Sequence, residues 1–393
     1  MVKSMAVPNV RSRVTALDAL RGLAMVIMAL DHVRDYYHAA AMQFQPEDLS
    51  RTTVAIFLTR WITHFCAPVF MFAAGASAFM WFRNGHSQHE LTAYLLKRGL
   101  WLVLLELTVL RFAMNFNWFM GPLLLTVLWA LGWSMVALGF LSWLPVRVLA
   151  VVSVLVIVLH NLLDRVSFGG AAFWKVLHQP GVIEPGGGIT VIVAYPLIPW
   201  IAVMAAGFCF GHILVLDAAT RQKWLLRIGL GLTAAFVLVR SINIYGDPRP
   251  WSSATLPLLS FLRVNKYPPS LDFLLMTLGP AILLLAWFYR LDLAKTNPLV
   301  IIGRVPLFYF LGHFFLLHLL TLPLGWLYYG HAAFLLNPLP SMGGPADAFP
   351  PNYGYSLGTV YVVWMIVVAA MYPLCVWFGK LKQRSQSRWL AYL

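Results

Sequence analysis

Seven ionisable residues crowd one apolar stretch, Thr15–His38: Asp18, Arg21, Asp31, His32, Arg34, Asp35 and His38. The stretch is long and apolar enough to cross a bilayer, where ionisable groups are costly, so the cluster marks a functional site by default. At 100° per residue, Asp18, Arg21, Met25, Met28, His32 and Asp35 fall on one helical stripe. Arg21 and His32 are separated by almost a whole number of turns and about 16 Å of rise. One face of one helix therefore offers a guanidinium near one membrane surface and an imidazole well towards the other. The chemistry this suits is proton abstraction or nucleophilic attack by His32. A carboxylate on one ring nitrogen fixes the tautomer and raises the basicity of the other, and Asp31 and Asp35 are the candidates for that role. His38 is the rival base. If the helix continues it points about 120° away from His32, whereas beyond a helix end that angle carries no meaning. The competing reading is a set of interhelical ion pairs that only fix packing.

Further candidates lie in later apolar runs. Arg60 and His64 are i,i+4 neighbours in TRWITHFCAPVFMFAAGASAFMWF. They are candidates for substrate binding, although a lone helical histidine is more often a packed hydrogen-bonding residue. Small residues in AAGASAF suit close helix packing. Lys97 and Arg98 stand at the entry of the next run, with Glu106 in its middle and Arg111, Asn115 and Asn117 at its far end. A lone buried carboxylate would protonate, so Glu106 is expected to pair with Arg60 or Arg21. The run GRVPLFYFLGHFFLLH carries Arg304, Tyr309, His313 and His318, with Tyr309 and His313 one turn apart and able to face the interior. Cys66, Cys209 and Cys375 each sit in an apolar segment without a CxxC spacing, so neither zinc nor a disulfide framework is indicated. No Walker loop, GxSxG elbow or HExxH is present. Histidines in several runs permit a bis-histidine haem, but no pair matches in depth.

The elements that must position these groups follow from composition. The 393 residues are 60% hydrophobic and 11% charged, against about 25% charged in soluble domains. Runs of about 20 apolar residues mark membrane-spanning helices. About ten occur, over 15–37, 54–82, 94–113, 119–142, 146–164, 192–216, 224–242, 270–290, 298–329 and 355–379. Pro306 and Pro323 predict that the ninth is kinked or divided. The expected fold is an all-α polytopic bundle forming one domain over 1–393. The N-terminal run holds charges and lacks a cleavage site, so it is expected to remain as the first helix.

The net charge of +14 does not imply nucleic acid, because the basic residues sit in short connections. Lys3, Arg11, Arg13, Arg83, Lys97, Arg98, Arg147, Arg221, Lys223, Arg227, Arg290, Lys295, Arg304, Lys380, Lys382, Arg384 and Arg388 fall on alternate connections. The opposite set is poorer, which predicts both termini in the cytoplasm. The long connections 165–191, 243–269 and 330–354 then lie outside, where they would cap the bundle or form a lid. Their Trp174, Trp251 and Tyr267 would stack on a sugar or anchor at the interface.

RVTALDALRGLAMVIMALDH, with FCAPVFMFAAGASAF and the late GRVPLFYFLGHFFLLH, resembles the heparan-α-glucosaminide N-acetyltransferase catalytic-domain family. Its opening pattern is similar to that of the wider transmembrane acyltransferase superfamily, including acyltransferase-3 O-acetylases. The resemblance runs from Arg11 to about His318. It implies an inner-membrane enzyme that passes an acyl group, acetyl in the first instance, from cytoplasmic acyl-CoA to a glycan or other amine or hydroxyl acceptor at the far face, without a metal. It also implies a catalytic histidine near the outer end of the motif helix. The O-acetylase spacing lands on His32 and the heparan spacing nearer His38. Arg21, Lys97, Arg98 and Arg304 are then candidates to meet the polyanionic CoA, and His64, Arg60, His313 and Tyr309 to meet the acceptor. The lipid bilayer is the expected surrounding, and a homo-oligomer is compatible. The alternative is a proton-coupled transporter with Asp31, His32, Arg60 and Glu106 as its relay.

Overall fold

A computed structural model describes residues 10–116, 122–169, 171–254, 256–330 and 353–385. Lys3, Asn117, Arg388 and most of the expected outer connection 330–354 lie outside these residues. The described chain is mostly helical: α1 (Val10–Tyr37), α2 (Val54–Thr63), α3 (Cys66–Arg83), α4 (Gln88–Leu105), α5 (Arg111–Asn115), α6 (Val127–Leu141), α7 (Val146–Leu159), α8 (Ala172–Leu177), α9 (Trp200–Leu214), α10 (Ala218–Ile242), α11 (Pro257–Leu262), α12 (Leu271–Leu291), α13 (Pro298–Arg304), α14 (Pro306–Tyr329) and α15 (Leu357–Arg384). Six described segments are helical, long and apolar enough to cross a membrane: Val54–Arg83, Val146–Arg165, Ala218–Ile242, Leu271–Leu291, Pro306–Leu327 and Leu357–Arg384. Val127–Leu141 and Trp200–Leu214 are apolar but shorter.

Several expected spans are interrupted. The second divides where His64 and Phe65 join α2 to α3. The third runs through one turn of π-helix, Glu106–Leu110, between α4 and α5. The ninth is two pieces: α13 ends at Arg304 and α14 begins at Pro306. A proline has no N–H to continue the ladder, so Pro306 starts the new helix rather than extending the old one. Pro323, by contrast, is inside α14.

The core is made by α1, α3, α9, α12 and α14, whereas α7, α10 and α15 turn many apolar side chains outward, as a lipid-facing rim does. Two close crossings set this arrangement. A Cβ on Gly22 of α1 would collide with the carbonyl of Leu299 in α13, and one on Gly303 would collide with that of Asp18. Gly75 of α3 and Gly207 of α9 meet the opposing backbones in the same way, which is the packing role expected of AAGASAF.

A small sheet departs from an all-helical reading. β1 (Leu123–Leu125) pairs parallel with β3 (Ile189–Val193), and β2 (Gly181–Gly186) pairs antiparallel with β3, in the order β1-β3-β2. It gathers the connection before α6 and the long connection before α9 at one end of the bundle.

Candidate functional site

His32 lies near the C-terminal end of α1, on the stripe that carries Arg21. Its Nδ1 is 2.7 Å from Nε2 of His313 in α14. The two rings are nearly parallel with centroids 5.0 Å apart, so they meet edge to edge through this bond, and Phe314 lies against His32 at 4.2 Å. His313 Nδ1 is in turn 3.0 Å from the Tyr309 carbonyl. That carbonyl can only accept, so His313 carries its proton on Nδ1. Neutral His313 then presents a lone pair at Nε2, and His32 must donate to it from Nδ1. The chain of bonds leaves the lone pair of His32 on Nε2, which makes no hydrogen bond among the described residues. A base held in one tautomer with its basic nitrogen free is what proton abstraction requires.

Asp31 and Asp35 do not hold this ring. Asp31 is bound by Arg60 and, at 3.2 Å, by Arg34, and Arg34 also binds Asp35. The tautomer-fixing role that sequence spacing suggests for these carboxylates is taken by His313, because α14 approaches His32 more closely than its own helix neighbours can reach. Arg60 extends the ion network by donating to Glu47 at 3.1 Å. Glu47 sits in the connection between α1 and α2. Burial opposes its charge, but Arg60 and His64 outweigh burial and hold its carboxyl below the usual glutamate range.

His32, Asp31 and Asp35 face a cavity of about 750 Å³, together with Glu47, Arg60, Thr126, Tyr195, Lys266 and Phe314. This is within the range of small-molecule sites. A second cavity of about 150 Å³ is lined by Arg21, Met25, Tyr94 and Arg98. Val127 and Phe310 line both, so the two cavities adjoin across these side chains. The α1 stripe runs past both, with Arg21 and Met25 in the smaller and His32 and Asp35 in the larger.

The remaining sequence candidates are distributed unevenly. His38 is buried just beyond α1 and does not line the His32 cavity. His64 is buried, with Nε2 3.4 Å from Glu47 Oε1. Tyr309 is buried with its hydroxyl unpartnered, and its contribution to the site is its carbonyl. Lys97 is exposed and lines neither cavity. Arg304 pairs with Asp18 at 3.5 Å, and Asp18 also binds Arg21, so these three link α1 to α13. Lys382, near the end of α15, is within electrostatic reach of Arg21 and Arg98 but lines neither cavity.

Glu106 corrects a sequence expectation. It pairs with neither Arg60 nor Arg21. Its carboxylate accepts from the Thr126 N–H and hydroxyl and from the N–H groups of Leu128 and Trp129, at 2.6–3.2 Å. These are the orphan donors at the start of α6, where the helix dipole also favours negative charge. The bond network fixes Thr126 and Val127 against the cavities. Glu47, Thr126, Tyr195 and Lys266 escaped sequence reading, because a loop residue carries no periodicity to mark it. Among the described residues, no group of three His, Cys, Asp or Glu side chains could hold a metal ion.

Comparison with known proteins adds one finding. Residues 13–245, more than half the chain, match the family described as heparan-alpha-glucosaminide N-acetyltransferase, catalytic. The match takes in the α1 stripe, Arg60 and Arg98 but stops short of Lys266 and His313. No curated protein sequence matches the chain.

Proposed function

Because the chain belongs to the heparan-alpha-glucosaminide N-acetyltransferase catalytic family, a multi-pass membrane transferase family, we propose that it carries an acetyl group from acetyl-CoA on the cytoplasmic side to an amine or hydroxyl acceptor on the outer side. In this reading the whole chain, 1–393, acts as one transmembrane domain in the cytoplasmic membrane, with both termini inside. The observation that carries it is the α1 stripe walling two adjoining cavities, with cations in one and an unencumbered imidazole nitrogen in the other.

Arg21 and Arg98, with Lys382 within electrostatic reach, meet the phosphates of CoA at the smaller cavity. The slender pantetheine arm passes Val127 and Phe310, which brings the thioester towards His32. Nε2 of His32 takes the proton from the acceptor amine or hydroxyl as the acceptor attacks the thioester carbonyl. The carbon–sulfur bond then breaks, CoA leaves as the thiolate, and the proton on His32 returns to it. Transfer through an acyl-histidine uses the same nitrogen as the nucleophile. His313 acts through His32, as a positioning residue. Arg60 and Arg34 hold Asp31 and Asp35 as a fixed wall of the acceptor cavity.

Thermal unfolding of the purified protein in detergent with acetyl-CoA, CoA and 3′-dephospho-CoA tests this without knowledge of the acceptor. A ligand of the native state adds about 2.7 kcal/mol at a hundredfold excess over its dissociation constant. The midpoint is expected to rise with the CoA species and to rise less in Arg98→Gln. No rise at saturating concentrations, in folded protein, contradicts the proposal.

A further inference from the structure

We infer that the acceptor carries an anionic group, a carboxylate, phosphate or sulfate, beside its reactive amine or hydroxyl, and that Lys266 and Arg263 bind that group. The inference rests on the acyl-transfer reading of the same cavity and adds the class of substrate to it.

The charged side chains around the His32 cavity are Asp31, Asp35, Glu47 and Asp48 on one side of the count, and Arg34, Arg60, Arg249, Arg263 and Lys266 on the other. The signs nearly balance, but the pairing does not. Arg34 and Arg60 engage Asp31, Asp35 and Glu47. Asp48 accepts from the N–H and hydroxyl of Ser50 and feels Arg263 only at a distance. That leaves three cations from one connection, 249–266, with no ion pair among the described residues.

Lys266 is the most telling of them. It is only 8% exposed, yet it lines the cavity and its ammonium makes no hydrogen bond among the described residues. The Tyr267 ring lies 5.3 Å from the nitrogen, and Asp31, already engaged by Arg34 and Arg60, attracts the ammonium from beyond ion-pair distance. A cation–π contact is worth about 0.5–2 kcal/mol, and it leaves the ammonium's donors facing the cavity without an acceptor among the described residues. Arg263 repeats the pattern, with its Nε buried and without an acceptor. An anion entering the cavity supplies what both lack, through charge-assisted bonds.

The connection is built to hold these cations still. Buried Arg240 of α10 donates to the carbonyls of Arg249, Ser260, Phe261 and Arg263 at 2.7–3.1 Å. Asp247 accepts from the N–H groups of Arg249 and Asn265 and from the Ser270 hydroxyl. Pre-ordered donors bind an anion without an ordering cost of their own. The connection lies beyond residues 13–245, the segment that matches the family.

The test is equilibrium binding to the purified full-length protein of glucosamine, glucosamine 6-phosphate, glucosamine 6-sulfate, muramic acid and inorganic phosphate, with acetyl-CoA measured in parallel. At least one anionic amino sugar is expected to bind about tenfold more tightly than glucosamine, equivalent to about 1.4 kcal/mol, and the preference should shrink as salt rises. The three sugars separate phosphate, sulfate and carboxylate. Lys266→Gln and Arg263→Gln should bring the ratio to glucosamine close to one, while Lys266→Arg keeps it. Undiminished acetyl-CoA binding shows that the variants are folded. The inference is overturned if glucosamine binds as tightly as every anionic sugar, if no anionic probe binds, or if Lys266→Gln keeps the preference. Any of these results with acetyl-CoA binding intact strikes this inference alone, whereas failure of the wild type to bind acetyl-CoA strikes the acyl-transfer reading beneath it.

Discussion

Replacing His313 with phenylalanine removes the acceptor of His32 and, with it, the Nδ1–H that donates to the Tyr309 carbonyl. The ring stays apolar and of similar shape, in a position that lines neither cavity. What His32 loses is the Nε2 lone pair that holds its Nδ1 proton at 2.7 Å. A buried donor left without its acceptor costs about 1–3 kcal/mol. That penalty falls on the tautomer that acts as base, because the other tautomer places its proton on Nε2, where the cavity can solvate it. At about 1.4 kcal/mol per tenfold in rate, His313→Phe should lower kcat by about 5- to 150-fold. The KM for acetyl-CoA should be unchanged, since the donor cations are elsewhere. His32→Ala should cost about 10²–10⁴-fold, the usual worth of a general base. The double variant should be no worse than His32→Ala, because both changes act on one nitrogen. Transfer of labelled acetyl from acetyl-CoA to an amine acceptor, followed in steady state for the four proteins, reads all of this. Full kcat in His313→Phe, or losses that multiply in the double variant, refutes the tautomer argument.

Arg98→Gln removes a charge from the smaller cavity and should raise the KM for acetyl-CoA by about tenfold or more, the worth of one hydrogen bond to a charged group, with kcat little changed. Glu106→Ala orphans three backbone N–H groups at the start of α6 and should destabilise the protein by about 3 kcal/mol or more, read as a lower unfolding midpoint in detergent. Gly303→Val drives a side chain into the Asp18 carbonyl and should prevent α1 and α13 from crossing, read as loss of folded protein on size-exclusion chromatography. Glu47, whose folded pKa is depressed chiefly by Arg60 against the effect of burial, stabilises the fold fully above the ordinary glutamate value of about 4.3. That contribution fades as pH falls from there through the folded value. Glu47→Gln should therefore unfold less steeply than wild type as pH is lowered below about 4, and equal acid slopes for the two proteins would contradict it.

The frame of the site was legible because it rests on helical period. Arg21, Met25, His32 and Asp35 could be placed on one face of α1 from spacing alone, and Pro306 announced the break between α13 and α14. Pairing across the fold was not legible. His313 stands 281 residues from His32, and nothing local distinguishes a histidine that reaches another ring from one that merely packs. For Glu106 the sequence points to an arginine, because a buried carboxylate needs donors. The donors turned out to be backbone N–H groups at a helix start, which no side-chain letter reveals. β1 was missed because three residues give no alternation to read. Lys266 and Glu47 lie in connections, where position in space is set by turns and by the scaffold around Arg240 rather than by any repeat.

Sidedness tests the central claim most directly. Protein reconstituted in vesicles would be given labelled acetyl-CoA in the lumen and an amino sugar outside, in vesicles oriented with the Arg98 end inward. The account predicts acetylated sugar outside and free CoA inside, in wild type and not in His32→Ala. Product that forms only when donor and acceptor share a compartment, or sugar uptake driven by a proton gradient with no CoA released, would contradict it.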